Sequence, residues 1–198
     1  MTAGVVRVPG WVRWTALAVA VLAALAALAA ITANRIRSGP GRPAEGLFVP
    51  PAGIEALADQ RWENGRSFDH GPLAVRRWQK VERPRDELEQ SITVHRSGYA
   101  ALYGFSASDP RINDREDFGD ENVHDAPLAV GVEADQALIY CRGIPQPGRR
   151  DSCAGWVYWA RYGSYTVKMC YREPGLDAGR FSRIAGQFDA KIARFLAG

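Results

Sequence analysis

Lysine, histidine, cysteine and methionine are all scarce in this chain of 198 residues, at three, three, three and two copies. The three cysteines, Cys141, Cys153 and Cys170, form no C-x2-C arm, which argues against a structural zinc site. The sequence also has no G-x-S-x-G elbow, no H-E-x-x-H helix, no P-loop and no G-x-G-x-x-G turn. Each of those motifs would carry a nucleophile, a metal or a phosphate. The histidines, His70, His95 and His124, are dispersed, and the adjacent pairs Asp69-His70 and His124-Asp125 do not make a triad, because sequence neighbours rarely orient one another. No nucleophile, cofactor or enzyme class is assigned. A strong charge is missing too. Five of the 25 basic residues (Arg7, Arg13, Arg35, Arg37, Arg42) precede the first acid, Glu45, so the rest carries 20 basic against 22 acidic residues. A near-neutral domain without a basic stripe gives no footprint for nucleic acid. The few lysines and many alanines fit a bacterial coding bias.

What the sequence does have is a 20-residue run from Trp14 to Ala33 without charge, proline or glycine. A helix of that length covers about 30 Å, the thickness of a bilayer's hydrocarbon core. The expected organisation is a short cytoplasmic leader over 1–13, a transmembrane signal anchor over 14–33, a Pro/Gly-rich linker over 34–53 and an extracytoplasmic domain over 54–198. The apolar Leu47-Phe48-Val49 within the linker places the true boundary as early as residue 46. The run is longer than the usual signal core of about 7–15 residues, which favours a single-pass anchor in the plasma membrane over cleavage and secretion near Ala33. Basic residues on both sides leave the orientation nearly balanced. Export of the long C-terminal part puts the domain outside the cytoplasm. Ala16, Ala20 and Ala24 form a small-xxx-small ladder that would suit a helix-mediated dimer, but in a segment that is half alanine such spacing arises by composition, which is the stronger reading.

Within the domain, Ile54–Trp62 reads as a short helix stopped by Asn64-Gly65. Leu73–Val81 is ambiguous between helix and strand. From Asp86 to Tyr103, Leu88, Ile92, His95, Tyr99, Leu102 and Tyr103 recur at helical spacing, the alternative being a hairpin turning at Ser97-Gly98. Ser106–Asp125 reads as a polar loop. PLAVGVE, ALIYCRG, CAGWVYWA and SYTVKMCY are short, β-branched and aromatic runs that predict an antiparallel meander. Asp177 then caps a closing helix with Phe181, Ile184, Phe188, Ile192 and Phe195 on one stripe. The fold class is α+β, an antiparallel sheet covered by helices.

Three candidate sites emerge. In the acidic loop, Asp114, Glu116, Asp120, Asn122 and Asp125 follow a calcium-loop spacing around Gly119, but Phe118 stands where an oxygen ligand is required, which favours a solvated loop. Cys141 and Cys153 close a Pro/Gly/Arg-rich loop and are the expected disulfide, leaving Cys170 a buried thiol. The rival pairing, Cys153 with Cys170, depends on the turn that joins the last two strands. Trp156, Tyr158, Trp159, Tyr162 and Tyr165 crowd one hairpin and are either core or an aromatic binding surface. The function expected is a membrane-anchored binding or interaction module for an unidentified protein or cell-envelope ligand. A small envelope hydrolase assembled from His95, His124 and nearby acids is the alternative, and a structural subunit of a membrane assembly a third.

Overall fold

The structure, a computed structural model, describes residues 18–30, 41–119, 122–126, 132–143 and 153–198. The first described segment, 18–30, is a helix (α1) with every residue exposed. Among the described residues no helix is long and apolar enough to cross a membrane. Four residues at one end of the 14–33 run and three at the other lie outside the described residues, as do Ala16 and Asp120.

Eight strands among the described residues make one antiparallel sheet: β1 (Trp62–Asn64), β2 (Phe68–His70), β3 (Leu73–Lys80), β4 (Glu87–Val94), β5 (Val123–Ala126), β6 (Gln136–Arg142), β7 (Gly155–Tyr162) and β8 (Tyr165–Arg172). Their order is β1-β3-β4-β8-β7-β6-β5, with β2 beside β1 on the same edge of β3. The helices are α2 (Gly98–Ala107), α3 (Pro110–Phe118) and α4 (Ala178–Ala197). The α+β expectation therefore holds, and β6, β7 and β8 are the anticipated meander. The PLAVGVE run lies mostly outside the described residues.

Alternation along the strands gives the sheet two faces. One carries Leu88, Ile92, Trp156, Tyr158, Val167, Met169 and Tyr171, all buried beneath α4 and the segment 44–57. Asp177 caps α4 by accepting from the Arg180 N–H at 2.7 Å, and Phe181, Ile184, Phe188 and Ile192 are fully buried as the stripe implied, whereas its fifth member, Phe195, is exposed. Phe181 stacks on Trp156, and Phe188 meets Tyr158 edge-on. The opposite face carries Tyr140, Val157, Trp159 and Cys170 and is covered in part by α2 and α3, with Phe105 of α2 stacked on Trp159 at 5.4 Å. The sheet thus separates α4 from α2.

Four expectations are corrected. Ile54–Trp62 is not an α-helix: Ile54 N–H donates to Pro51 O and Leu57 N–H to Ile54 O, i+3 bonds of 3₁₀ turns, and Trp62 already belongs to β1. Two prolines precede it, and burying Ile54 and Leu57 on one side suits the three-residue repeat of a 3₁₀ turn. Asp86–Tyr103 divides into β4 and α2, because Ser97 is an N-cap, accepting from the Ala100 N–H at 3.1 Å. The loop over 106–125 contains α3, capped by Asp109 with Pro110 at its first position and ended at Gly119, φ +88°, followed by β5. Finally, residues 44–51 belong to the domain rather than to a linker. Leu47 and Val49 are buried, and the Gln90 amide accepts from the Val49 N–H at 3.0 Å while donating to its carbonyl at 2.6 Å.

Candidate functional site

The aromatic hairpin is core. Trp156, Tyr158, Trp159, Tyr162 and Tyr165 are each at most 8 % exposed. Their polar ends turn inward: Trp156 Nε1 donates to Leu176 O at 2.8 Å, and the Tyr165 hydroxyl bonds both the N–H and the carbonyl of Arg42. Tyr158 and Tyr162 both donate to Asp189 Oδ1 of α4 at 2.7 Å, while Asp189 Oδ2 accepts from the Glu133 N–H at 2.7 Å. Burial and the neighbouring carboxylate raise the Tyr158 and Tyr162 hydroxyls well above the ordinary phenol range, so both remain donors. No face of this hairpin is left as an open platform.

The acidic stretch is tied to arginines. Asp114 is buried on α3, where it accepts from the Tyr140 hydroxyl at 2.6 Å and from Arg142 at 3.2 Å. Arg111 bridges Asp109 and Asp125, holding the latter through two 2.9 Å bonds. The Asn122 amide donates to Phe118 O, and Glu116 is exposed on α3. Because 110–118 is helical, Asp114 and Glu116 do not line a loop. Among the described residues no group of three or more His, Cys, Asp or Glu is placed to hold a metal.

The disulfide joins Cys141 to Cys153, with a Cα–Cα distance of 5.7 Å. Tyr162 pairs with Tyr165 across a two-residue Gly163-Ser164 turn, Gly163 having φ +55°. That register sets Cys170 opposite Val157, away from Cys153 and on the other face from Cys141. Cys170 is a buried thiol beside Arg142 at 2.9 Å, and burial pushes its titration up.

The histidines do not gather. His124 lies on β5 and shares the α4 face with its partner Cys141. His95 follows β4, and its ring bonds Thr166 Oγ1 at 3.1 Å on the opposite face, where burial lowers its pKa. Four strand spacings, about 19 Å, separate β4 from β5. His70 is exposed on the edge strand β2. At the β3–β8 end, Lys80 is buried between Asp86 and Glu173, at 3.0 Å from each. Tyr171 and Arg180 also donate to Glu173. This ion cluster borders a polar cleft of about 560 Å³ lined by Gln60, Arg61 and Arg83. Its acids and bases alternate and bond one another, which makes it a clamp joining β3, β8 and α4.

Among the described residues the most exposed aromatic side chains lie on α2. GYAALYGFSA holds no charged residue over ten positions. Its inner side is small: Gly98 and Ala101 are buried, and a Cβ on Gly104 would come within 2.7 Å of the His95 ring. Phe105 packs on Trp159 and Leu102 is half-buried, while the two tyrosines point outward. Tyr99 and Tyr103, one turn apart, are 69 % and 74 % exposed. In the same layer α3 exposes Ile112 and Phe118. The helical spacing over 86–103 predicts Tyr99 and Tyr103 on one helical face with Leu88 and Ile92. Ser97 as a cap, followed by a charge-free decapeptide, was the signal that could have found them. The chain matches no family model, no curated protein and no solved structure.

Proposed function

We propose that the chain is a membrane-anchored, extracytoplasmic binding or interaction module whose contact surface is the outer face of α2. The observation that carries this reading is the exposed tyrosine pair on a helix without a charge, while the other aromatic cluster is buried. A helix that is apolar all round is ordinarily buried, and tyrosine is enriched in protein interfaces. The anchor is supported by the uncharged 14–33 run, of which the described part is helical and exposed. The Cys141–Cys153 disulfide suits an oxidising compartment. The hydrolase alternative loses support from the separation of His95 and His124 on opposite faces.

The test is a photo-crosslinking residue at Tyr103, compared with one at the exposed Ala58 on the far side of the sheet, in the organism's own membranes. A discrete adduct from position 103 that is absent from position 58, and lost when Tyr99 is changed to Ser, is the expected outcome. Identical adducts from both positions would reject α2 as the contact surface.

A further inference from the structure

The closing helix hides a second pattern behind its apolar stripe. Arg183, Gln187, Lys191 and Arg194 fall within an arc of about 80° at 100° per residue, over about 16 Å of helix. Arg183, Lys191 and Arg194 are exposed, and among the described residues none of them forms an ion pair. They border a cleft of about 670 Å³ against the 3₁₀ turns, where Glu55, bonded to the Gln187 amide, is the one lining carboxylate. The chain enters the domain at the far end of this same helix. The Arg42 guanidinium sits 4.7 Å from the centre of the Phe195 ring, with the backbone of Arg42 held by Tyr165. Between α1 and that entry point lie residues 31–40, a stretch that reaches at most about 35 Å when fully extended.

We infer that the basic face of α4 docks on an anionic lipid surface, orienting the domain so that α2 faces away from the membrane. This rests on the anchor reading above, which brings the domain within reach of the headgroups. Charge complementarity selects the occupant: three exposed cations of α4 share their cleft with one carboxylate, Glu55. The sheet lies between α4 and α2, so docking one leaves the other accessible. At the attraction usual for basic side chains near anionic headgroups, three residues favour the docked pose by about 100-fold.

The three lysines supply the readout. Lys80 is buried, Lys168 lies on the sheet face opposite α4, and Lys191 is on the basic stripe. The full chain is reconstituted in phosphatidylcholine vesicles, and in vesicles of which about one third is phosphatidylglycerol, and labelled with a neutral amine-reactive ester. Labelling of Lys191 relative to Lys168 should fall by about ten-fold or more in the anionic vesicles and recover in high salt. Arg183→Glu with Arg194→Glu, both at exposed positions, should abolish that protection. An equal Lys191/Lys168 ratio in both vesicles, with the chain still floating with neutral vesicles, overturns the docking and leaves the anchor intact. Failure to float with neutral vesicles overturns the anchor and the docking with it.

Discussion

Asp189 is the residue on which the α4–sheet interface is pinned. Its carboxylate accepts three hydrogen bonds while 1 % exposed, two of them from hydroxyls that burial keeps protonated. Asp189→Ala leaves two buried hydroxyl donors and the part-buried Glu133 N–H without their acceptor and should cost on the order of 2–3 kcal/mol, read as a lower denaturant midpoint. An unchanged midpoint would show that these bonds are replaced by water. Glu173 gives a pH signature. Burial alone would raise its pKa, but hydrogen bonds from Tyr171, Lys80 and Arg180 outweigh that and hold it below the ordinary glutamate value. A depressed folded pKa means that its contribution is fully present above the unfolded value, about 4.3, and is lost as pH falls through the folded value. Stability measured from about pH 6 downward should decline less steeply for Glu173→Gln than for the parent. Parallel profiles would refute the assignment. Gln90 shows why the sequence misled at this scale. Leu88 and Ile92 are four apart, a step that fits a helix and a strand equally, and Gln90 between them is buried too. Its amide is matched to the Val49 backbone, a partner 41 residues away that no local pattern reports.

At the scale of elements, local chemistry was readable wherever an apolar stripe coincided with its caps. Asp177 with Phe181, Ile184, Phe188 and Ile192 specified α4, and both Phe188 and Ile192 are fully buried. Truncating either to alanine should cost about 2–5 kcal/mol through lost burial and the cavity left behind. Midpoints unchanged from the parent would mean the helix does not pack as described. Meander strands β6, β7 and β8 were legible from β-branched and aromatic runs between turns, and the disulfide from the loop they enclose. The polar helix α3 was not. With Pro110 and Asp114 its only buried residues, it has no apolar stripe, although Asp109-Pro110 and Gly119 mark its ends. The outer face of α2 was equally hidden, because its helical spacing was absorbed into that of β4. Replacing Tyr99 and Tyr103 together by Ser should change stability by less than about 0.5 kcal/mol each, as for ordinary exposed positions. A large drop in midpoint would show that the tyrosines belong to the core.

Across the whole molecule the sheet divides two surfaces of opposite character. One side bears α4, apolar inward and basic outward; the other bears α2 and α3, with tyrosines exposed on α2. In the reading proposed above, the first side is the one that docks on the membrane and the second the one that meets a partner. The central claim is therefore one of address: a retained span carrying an outward-facing domain. Protease added to intact cells tests it most directly, followed by sequencing of what remains in the membrane and of any mature protein in the medium. The account predicts loss of the domain, with a membrane-embedded fragment that still contains Trp14–Ala33. Mature protein beginning at Asn34, or a domain that protease reaches only after lysis, would contradict it.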